Sequence, residues 1–275
     1  MGCGASIPVI IAKKIDEVLL PTNIVRLTMN SDIELVNECK KVAAASFAGD
    51  TTHAPEGILS WAYSSSESID NNPCNPLKEA PSEERMKYFQ WLMDFLFGIY
   101  LPYNNIYALI DSSNTDVEKK KVLGITILIP PNTSNLHNGT FCGIMSTVMK
   151  IGDPPKSMTN KRFKALESIL KKMHKIHMKN NLHWYCNVLA VSNDQQGKGI
   201  GSQLLNFMSK LAEQTGNHAI YLETSGEKNE NFYKNKGKYE VLGEKVVIDS
   251  GEDKFDYNGG MICMIKYAPN TIIKS

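Results

Sequence analysis

The sequence lacks any apolar run near the length that spans a bilayer, which argues against a transmembrane helix. It also lacks a charge imbalance. Thirty Lys and Arg against 29 Asp and Glu leave a formal net charge of +1, so nucleic acid, which calls for a basic surface, is not an expected partner. Paired cysteines are missing as well: Cys3, Cys39, Cys74, Cys142, Cys186 and Cys263 show no framework spacing and no secretory leader precedes them. Free thiols in a cytoplasmic, reducing compartment are expected. Internal repeats are absent. What is present is ordinary globular material, 42% hydrophobic and 21% charged over 275 residues, enough for one large core.

The most informative stretch is 183–211. Residues 183–191 are dense in aromatic, β-branched and apolar side chains and run into Ser192-Asn193-Asp194, the pattern of a strand ending in a turn. Further on, Ile200, Leu204, Leu205, Met208 and Leu211 recur at helical spacing with Ser202, Gln203, Asn206 and Lys210 opposite, which predicts an amphipathic helix. Between them stands Gln196-Gly197-Lys198-Gly199-Ile200-Gly201-Ser202. Its glycines let the backbone approach a ligand, and the free N–H groups of the helix's first turn suit a phosphate or pyrophosphate. Many glycine-rich turns are only tight turns, so spacing must decide. A dinucleotide fingerprint would need Gly at 202, which is Ser; a P-loop would need Lys-Ser or Lys-Thr after its last Gly, and Gly201 is followed by Ser-Gln.

The remaining pattern, Gln-x-x-Gly-x-Gly at Gln196, Gly199 and Gly201 behind an apolar strand, resembles the acyl-CoA signature of the GNAT N-acyltransferase superfamily. With His183-Trp184-Tyr185, Leu189-Ala190-Val191, Tyr221-Leu222-Glu223-Thr224, Asn229, Phe232-Tyr233 and Gly260-Met261-Ile262-Cys263-Met264, the chain is similar to the branch of puromycin N-acetyltransferase-like proteins. The resemblance is specific over 183–267 and loose upstream. Asn193 stands where the family often has Pro, Lys236 replaces an apolar residue, and Gly237-Lys238-Tyr239 carries one residue more than the usual Gly-Phe. The resemblance implies an α/β (α+β) fold, with a mixed, mostly antiparallel and splayed central sheet flanked by helices.

Upstream, residues 23–29 read as a first strand, and Ser31 with Glu34 as a capping box for a helix whose Ile33, Val36, Cys39, Val42, Ala43 and Phe47 face inward. Residues 48–81 read as a long loop around a short turn near Trp61. A helix follows from Ser82 to about Ile99, then a hairpin of strands at 105–110 and 122–129, a helix at 140–149, and a lysine-rich helix at about 159–179 with Phe163, Leu166, Ile169, Leu170, Met173 and Ile176 as its apolar stripe. After the central unit come a strand at 219–224, a helix at 228–236 ended by Gly237, and two closing strands at 239–248 and 261–267. The expected organisation is an N-terminal segment, 1–22, and one domain, 23–275. Met1-Gly2-Cys3-Gly4-Ala5-Ser6 fits an N-myristoylation pattern at Gly2, with Cys3 open to a second acyl chain, and so predicts peripheral attachment at the cytosolic face of a membrane.

Acyl transfer to an amine needs a grip on CoA, a donor to the thioester carbonyl, a base and an acid. Residues 196–202 are the grip, each charge-assisted N–H to phosphate bond contributing about 1.5–3 kcal/mol. The resemblance implies that the pantetheine arm pairs with the backbone of Leu189, Ala190 and Val191, that a main-chain N–H near Leu189 polarises the carbonyl, and that Tyr233 protonates the departing sulfur. Asn229, one turn before Tyr233, falls near the CoA arm. Glu223 reads either as the base, directly or through water, or as a hydrogen-bonded strand residue; His183 reads as a border of the acceptor pocket or as a core histidine. His174 and His177 share a helix face but have no third ligand at suitable spacing, so no metal is expected. The expected activity is acetyl transfer from acetyl-CoA directly to a primary amine, on a small molecule or a peptide. The alternative is a CoA-binding module or sensor without turnover.

Overall fold

The computed structural model describes residues 15–63, 72–112, 121–131, 133, 141–156, 160–179, 181–216 and 218–267. Gly2 and Cys3 lie outside them.

Three strands, β1 (Ile24–Leu27), β2 (Ile106–Ile110) and β3 (Val122–Ile129), pair antiparallel in sequence order, and β4 (His183–Val191) pairs antiparallel with β3. All of β2 and nearly all of β3 are buried, as strands covered on both faces must be. The second half of the sheet is β5 (Ala219–Thr224), β9 (Ile262–Lys266) and the short β6 (Glu240–Val241), giving the order β1-β2-β3-β4-β5-β9-β6.

The two halves join by one parallel contact, between β4 and β5, at His183↔Ala219, Trp184↔Ile220 and Tyr185↔Tyr221 only. Past Tyr185, β4 stays with β3 while β5 stays with β9, as far as Thr224↔Ile262. The strands therefore part in a V. A bulge sharpens the divergence, for Leu128 faces Cys186 but Ile127 faces Val188, which leaves Asn187 unmatched.

Four helices, α1 (Ile33–Ala48), α2 (Gly57–Tyr63), α3 (Glu83–Tyr100) and α5 (Lys161–Met178), share one core with the sheet; α4 (Phe141–Ile151) lies between α3 and α5 in sequence. The other face is covered by α6 (Ile200–Gln214), through Ile200, Leu204, Leu205, Met208 and Leu211. Ser82 caps α3, its side chain accepting from the Arg85 N–H. Arg85 itself is buried, its guanidinium donating to the Ala48 carbonyl and to Ser60 Oγ, both at 2.8 Å, and so ties α1 to α2.

Several sequence expectations need correction. The cap of α1 is Asp32, whose side chain accepts from the Glu34 N–H, because Ser31 Oγ is engaged by the Thr28 N–H of the preceding turn. Ile33, in the first turn, is 65% exposed rather than inward. The short turn near Trp61 is a helix, α2. In α5 the apolar stripe stops short of Ile176, which is 58% exposed, and Met178 is buried in the last turn. The strand expected at 239–248 breaks at Gly243, which adopts φ +67°. Its remainder forms a separate two-residue hairpin of β7 (Ile248–Asp249) and β8 (Lys254–Phe255), with Phe255 packed 5.9 Å from the Trp61 ring.

Candidate functional site

The V between β4 and β5 opens into a cavity of about 950 Å³. One wall is the turn before α6. Gly197 and Gly199 adopt φ +78° and +85°, and a Cβ at either would point into open space. Their role is thus to hold left-handed backbone at low cost while leaving the mouth of the cavity clear. Gly201 differs: a Cβ there would stand 2.8 Å from the Phe232 ring, so this glycine is a packing requirement. Gln196, Ile200 and Ser202 also line the cavity, whereas Lys198 is exposed and outside it.

The turn is fixed from two sides. Asn193 Nδ2 donates to Asp50 Oδ2 at 2.7 Å and Gln196 Nε2 donates to Asn193 Oδ1 at 3.3 Å, while Asp194 forms an ion pair with Lys121. Asp50 in turn accepts from the Thr52 and His53 N–H groups, both at 2.7 Å. Asn193, where the resemblance leads one to expect Pro, therefore links the loop after α1 to the glycine turn.

Strand alternation places the β4 backbone. The Ser192 N–H donates to Leu123 O on β3 at 2.9 Å, so the main-chain groups of Ala190, two residues back, also face β3, and those of Leu189 and Val191 face the V. Leu189 and Val191 line the cavity; Ala190 is buried away from it. Only the first two offer main-chain groups to an extended ligand.

Tyr233 and Asn229 come from the opposite wall, where α7 (Glu227–Phe232) runs into a single π turn, Tyr233–Gly237. The helix expected to end cleanly at Gly237 thus widens at Tyr233, and the extra residue seen at Gly237-Lys238-Tyr239 is absorbed there, the Tyr239 N–H donating to the Tyr233 carbonyl at 3.1 Å. Tyr233 is buried, packed 5.2 Å from Phe232 and 5.5 Å from Tyr239. Burial above all, then Cys186 and Glu56, holds its phenol well above the usual tyrosine range, hence protonated.

Glu223 lines the cavity from β5, and its Oε1 is shielded from solvent with no hydrogen-bond partner among the described residues. Burial pushes its carboxyl up to about 7, and the phenols of Tyr185 and Tyr221 partly offset this. Tyr221 Oη makes no well-formed hydrogen bond, so its share of that offset is the weaker. His183 does not line the cavity: its Nε2 faces His174 Nε2 at 2.8 Å and its Nδ1 faces the Asn181 carbonyl at 2.6 Å. It sits where a satisfied core histidine would, and His174 is matched with it rather than with His177.

Sequence reasoning missed Glu56, Asn187 and Cys74, all lining the cavity. Glu56 precedes α2; Oε2 accepts from the Leu59 N–H at 2.7 Å and Oε1 from Ser225 Oγ at 3.1 Å, and burial raises its carboxyl. Nothing in the sequence marks Glu56, because glutamate is not one of the preferred helix-capping residues and its partner Ser225 is far away in the chain.

Residues 170–237 match the sequence model of the Acetyltransferase (GNAT) family. That stretch is similar to GNAT acetyltransferases, and the fold that holds it is the GNAT fold. The match runs from within α5 to the end of the π turn and so contains the glycine turn, Glu223 and Tyr233. Among solved structures, the GNAT fold is shared with the histone acetyltransferase HPA2 and related acetyltransferase from Corynebacterium glutamicum, at TM-score 0.52 and 18% identity over 91% of this chain and 98% of that one. It is shared equally with arylalkylamine N-acetyltransferase like 5b of mosquito, at TM-score 0.52 and 15% identity over 89% and 99% of the two chains. No curated protein matches the chain significantly.

Proposed function

We propose that the protein transfers an acetyl group from acetyl-CoA directly to a primary amine, with both substrates bound at once. The observation that carries this reading is that the glycine turn, the free main-chain edge of β4, the protonated phenol of Tyr233 and the carboxyl groups of Glu56 and Glu223 all border one cavity. In this reading the pyrophosphate sits on the 197–202 backbone, and the pantetheine arm runs along Leu189 and Val191. Glu223 takes the amine proton, directly or through water. The amine nitrogen adds to the thioester carbon, the C–S bond breaks, Tyr233 gives its proton to the sulfur, and the second proton leaving the nitrogen returns through water to the Tyr233 oxygen.

Direct transfer is favoured over an acyl-enzyme by the state of the thiols. Cys186 and Cys74 line the cavity, but burial above all raises them to about 12 and about 11, so neither is a thiolate at neutral pH. The puromycin N-acetyltransferase-like branch is favoured by the motifs of 183–267. Acylation at Gly2 and Cys3 belongs to the same proposal and is tested by labelling with a myristate analogue, which Gly2→Ala must abolish.

The deciding experiment is release of CoA from acetyl-CoA with and without a panel of amines. Amine-dependent release with matching N-acetylated product is expected. Binding of CoA without release for any amine would instead support the non-enzymatic CoA-binding module.

A further inference from the structure

Besides the glycine turn and β4, the cavity is lined by apolar side chains from three helices. Phe47 of α1, Leu92 and Leu96 of α3, and Phe163, Leu166 and Leu170 of α5 line it. Among these apolar side chains the cavity also receives Glu56 from the start of α2 and Glu223 from β5, with Glu167 of α5 and Glu227 of α7 on its lining as well. The only basic side chains among the described lining residues are Lys228 and Lys236, both on the segment that carries Tyr233. Burial raises the cost of ionising either carboxyl, and a bound cation would relieve it.

Glu56 is held rather than spent. Its two hydrogen bonds, from the Leu59 N–H and the Ser225 hydroxyl, occupy about half of the lone-pair positions of a carboxylate and leave the rest for a donor in the cavity. Ser225 follows the last residue of β5, so the same bond fixes Glu56 relative to Glu223. Oε1 of Glu223 is a buried acceptor without a hydrogen-bond partner among the described residues.

Building on the reading of the chain as an amine acetyltransferase, we propose that the acceptor is a primary amine carried on an apolar alkyl or aryl body, and that Glu56 receives its ammonium group. The body lies against α3 and α5, and the ammonium meets Glu56 before Glu223 takes its proton. Acceptors bearing an anion are excluded, because among the described lining residues the four glutamates outnumber the two lysines, and both lysines lie on the segment that carries Tyr233. Strongly hydrated polycations leave charges against leucine and phenylalanine.

The test is calorimetric titration of phenethylamine, ethanolamine, spermidine and γ-aminobutyrate into CoA-saturated protein. Phenethylamine is expected to bind tightest and γ-aminobutyrate not at all. Glu56→Gln, which keeps an oxygen for the Leu59 N–H, is expected to weaken phenethylamine about tenfold or more while the CoA-induced rise in melting temperature stays unchanged. Leu170→Lys, on the apolar wall, supplies a second variant with the same expected loss should the first not fold. Tighter binding of spermidine or ethanolamine, native affinity in Glu56→Gln, or no amine binding by a chain that binds CoA would overturn the proposal and leave the CoA reading standing. A chain that binds no CoA would instead remove the acetyltransferase reading beneath it.

Discussion

Tyr185 of β4 and Tyr221 of β5 are the last residues at which the two parallel strands face each other in register, and their rings lie 6.0 Å apart. Both reach toward Glu223, two residues further along β5, at the apex of the V. With its carboxyl near 7, Glu223 as base makes kcat/KM rise with pH through that value, and Glu223→Gln removes this limb of the profile. The same shift has a stability consequence of fixed sign. The native state holds the proton more tightly than the unfolded chain, so stability falls as pH rises from the ordinary carboxyl value of 4.5 to about 7. Glu223→Gln should therefore melt higher than the native chain above neutrality, by up to the order of 3 kcal/mol, and alike below about pH 4. Parallel melting curves across that range would show that Glu223 is not a perturbed acid.

Gly199→Val should abolish the rise in melting temperature that CoA gives the native chain. A β-branched residue at φ +85° is strained by about 1–3 kcal/mol, and its side chain projects into the clear mouth of the cavity. Differential scanning fluorimetry with and without CoA reads both effects. A native-sized shift in the variant would move the phosphate elsewhere.

Tyr233→Phe preserves the ring that packs against Phe232 and Tyr239 and removes only the hydroxyl. CoA affinity should hold while kcat drops roughly 10²–10⁴-fold, the range for loss of a general acid. Steady-state kinetics with a saturating amine makes the comparison; native turnover would assign the proton to water or another group.

Cys74→Ala should leave kcat within about twofold, because a thiol raised to about 11 does not act as a nucleophile near neutrality. Intact-mass spectrometry after mixing with acetyl-CoA alone should find no added acetyl group on either Cys74 or Cys186. A stoichiometric acetyl adduct that an amine then discharges would replace direct transfer with a two-step route.

Asn193→Ala cuts the bond to Asp50 and frees Gln196, loosening the turn without touching its glycines. CoA should bind about three- to tenfold more weakly, the worth of one or two net hydrogen bonds, with kcat little changed. Equal loss in kcat would mean that the link also positions the chemistry.

Local signals carried much of this. The spacing of Ile200, Leu204, Leu205, Met208 and Leu211 gave the helix beyond the turn because each of these residues is packed on the sheet. The glycine positions located the turn because two of them need left-handed backbone. Long-range partnerships had no such signal. Glu56 meets Ser225 across 169 positions, and Asp50 meets Asn193 across 143. The bulge at Asn187 is likewise invisible in β4 alone, since it is a mismatch with β3. Gly201 was read as room for a ligand, but its neighbour is Phe232, a contact that appears only when α6 and α7 are set side by side.

That last contact ties two parts of the site together. Phe232 rests on the bare Cα of Gly201, and the next residue along is Tyr233, so the phenol proposed as proton donor stands on the same footing as the turn proposed to hold the cofactor. Under that proposal, drift in sequence at this seam would disturb cofactor hold and leaving-group departure in one stroke. Selection or design that aims to retune one of them must work from the far side of each element, through Asp50 and Asn193 for the grip or Tyr239 for the phenol.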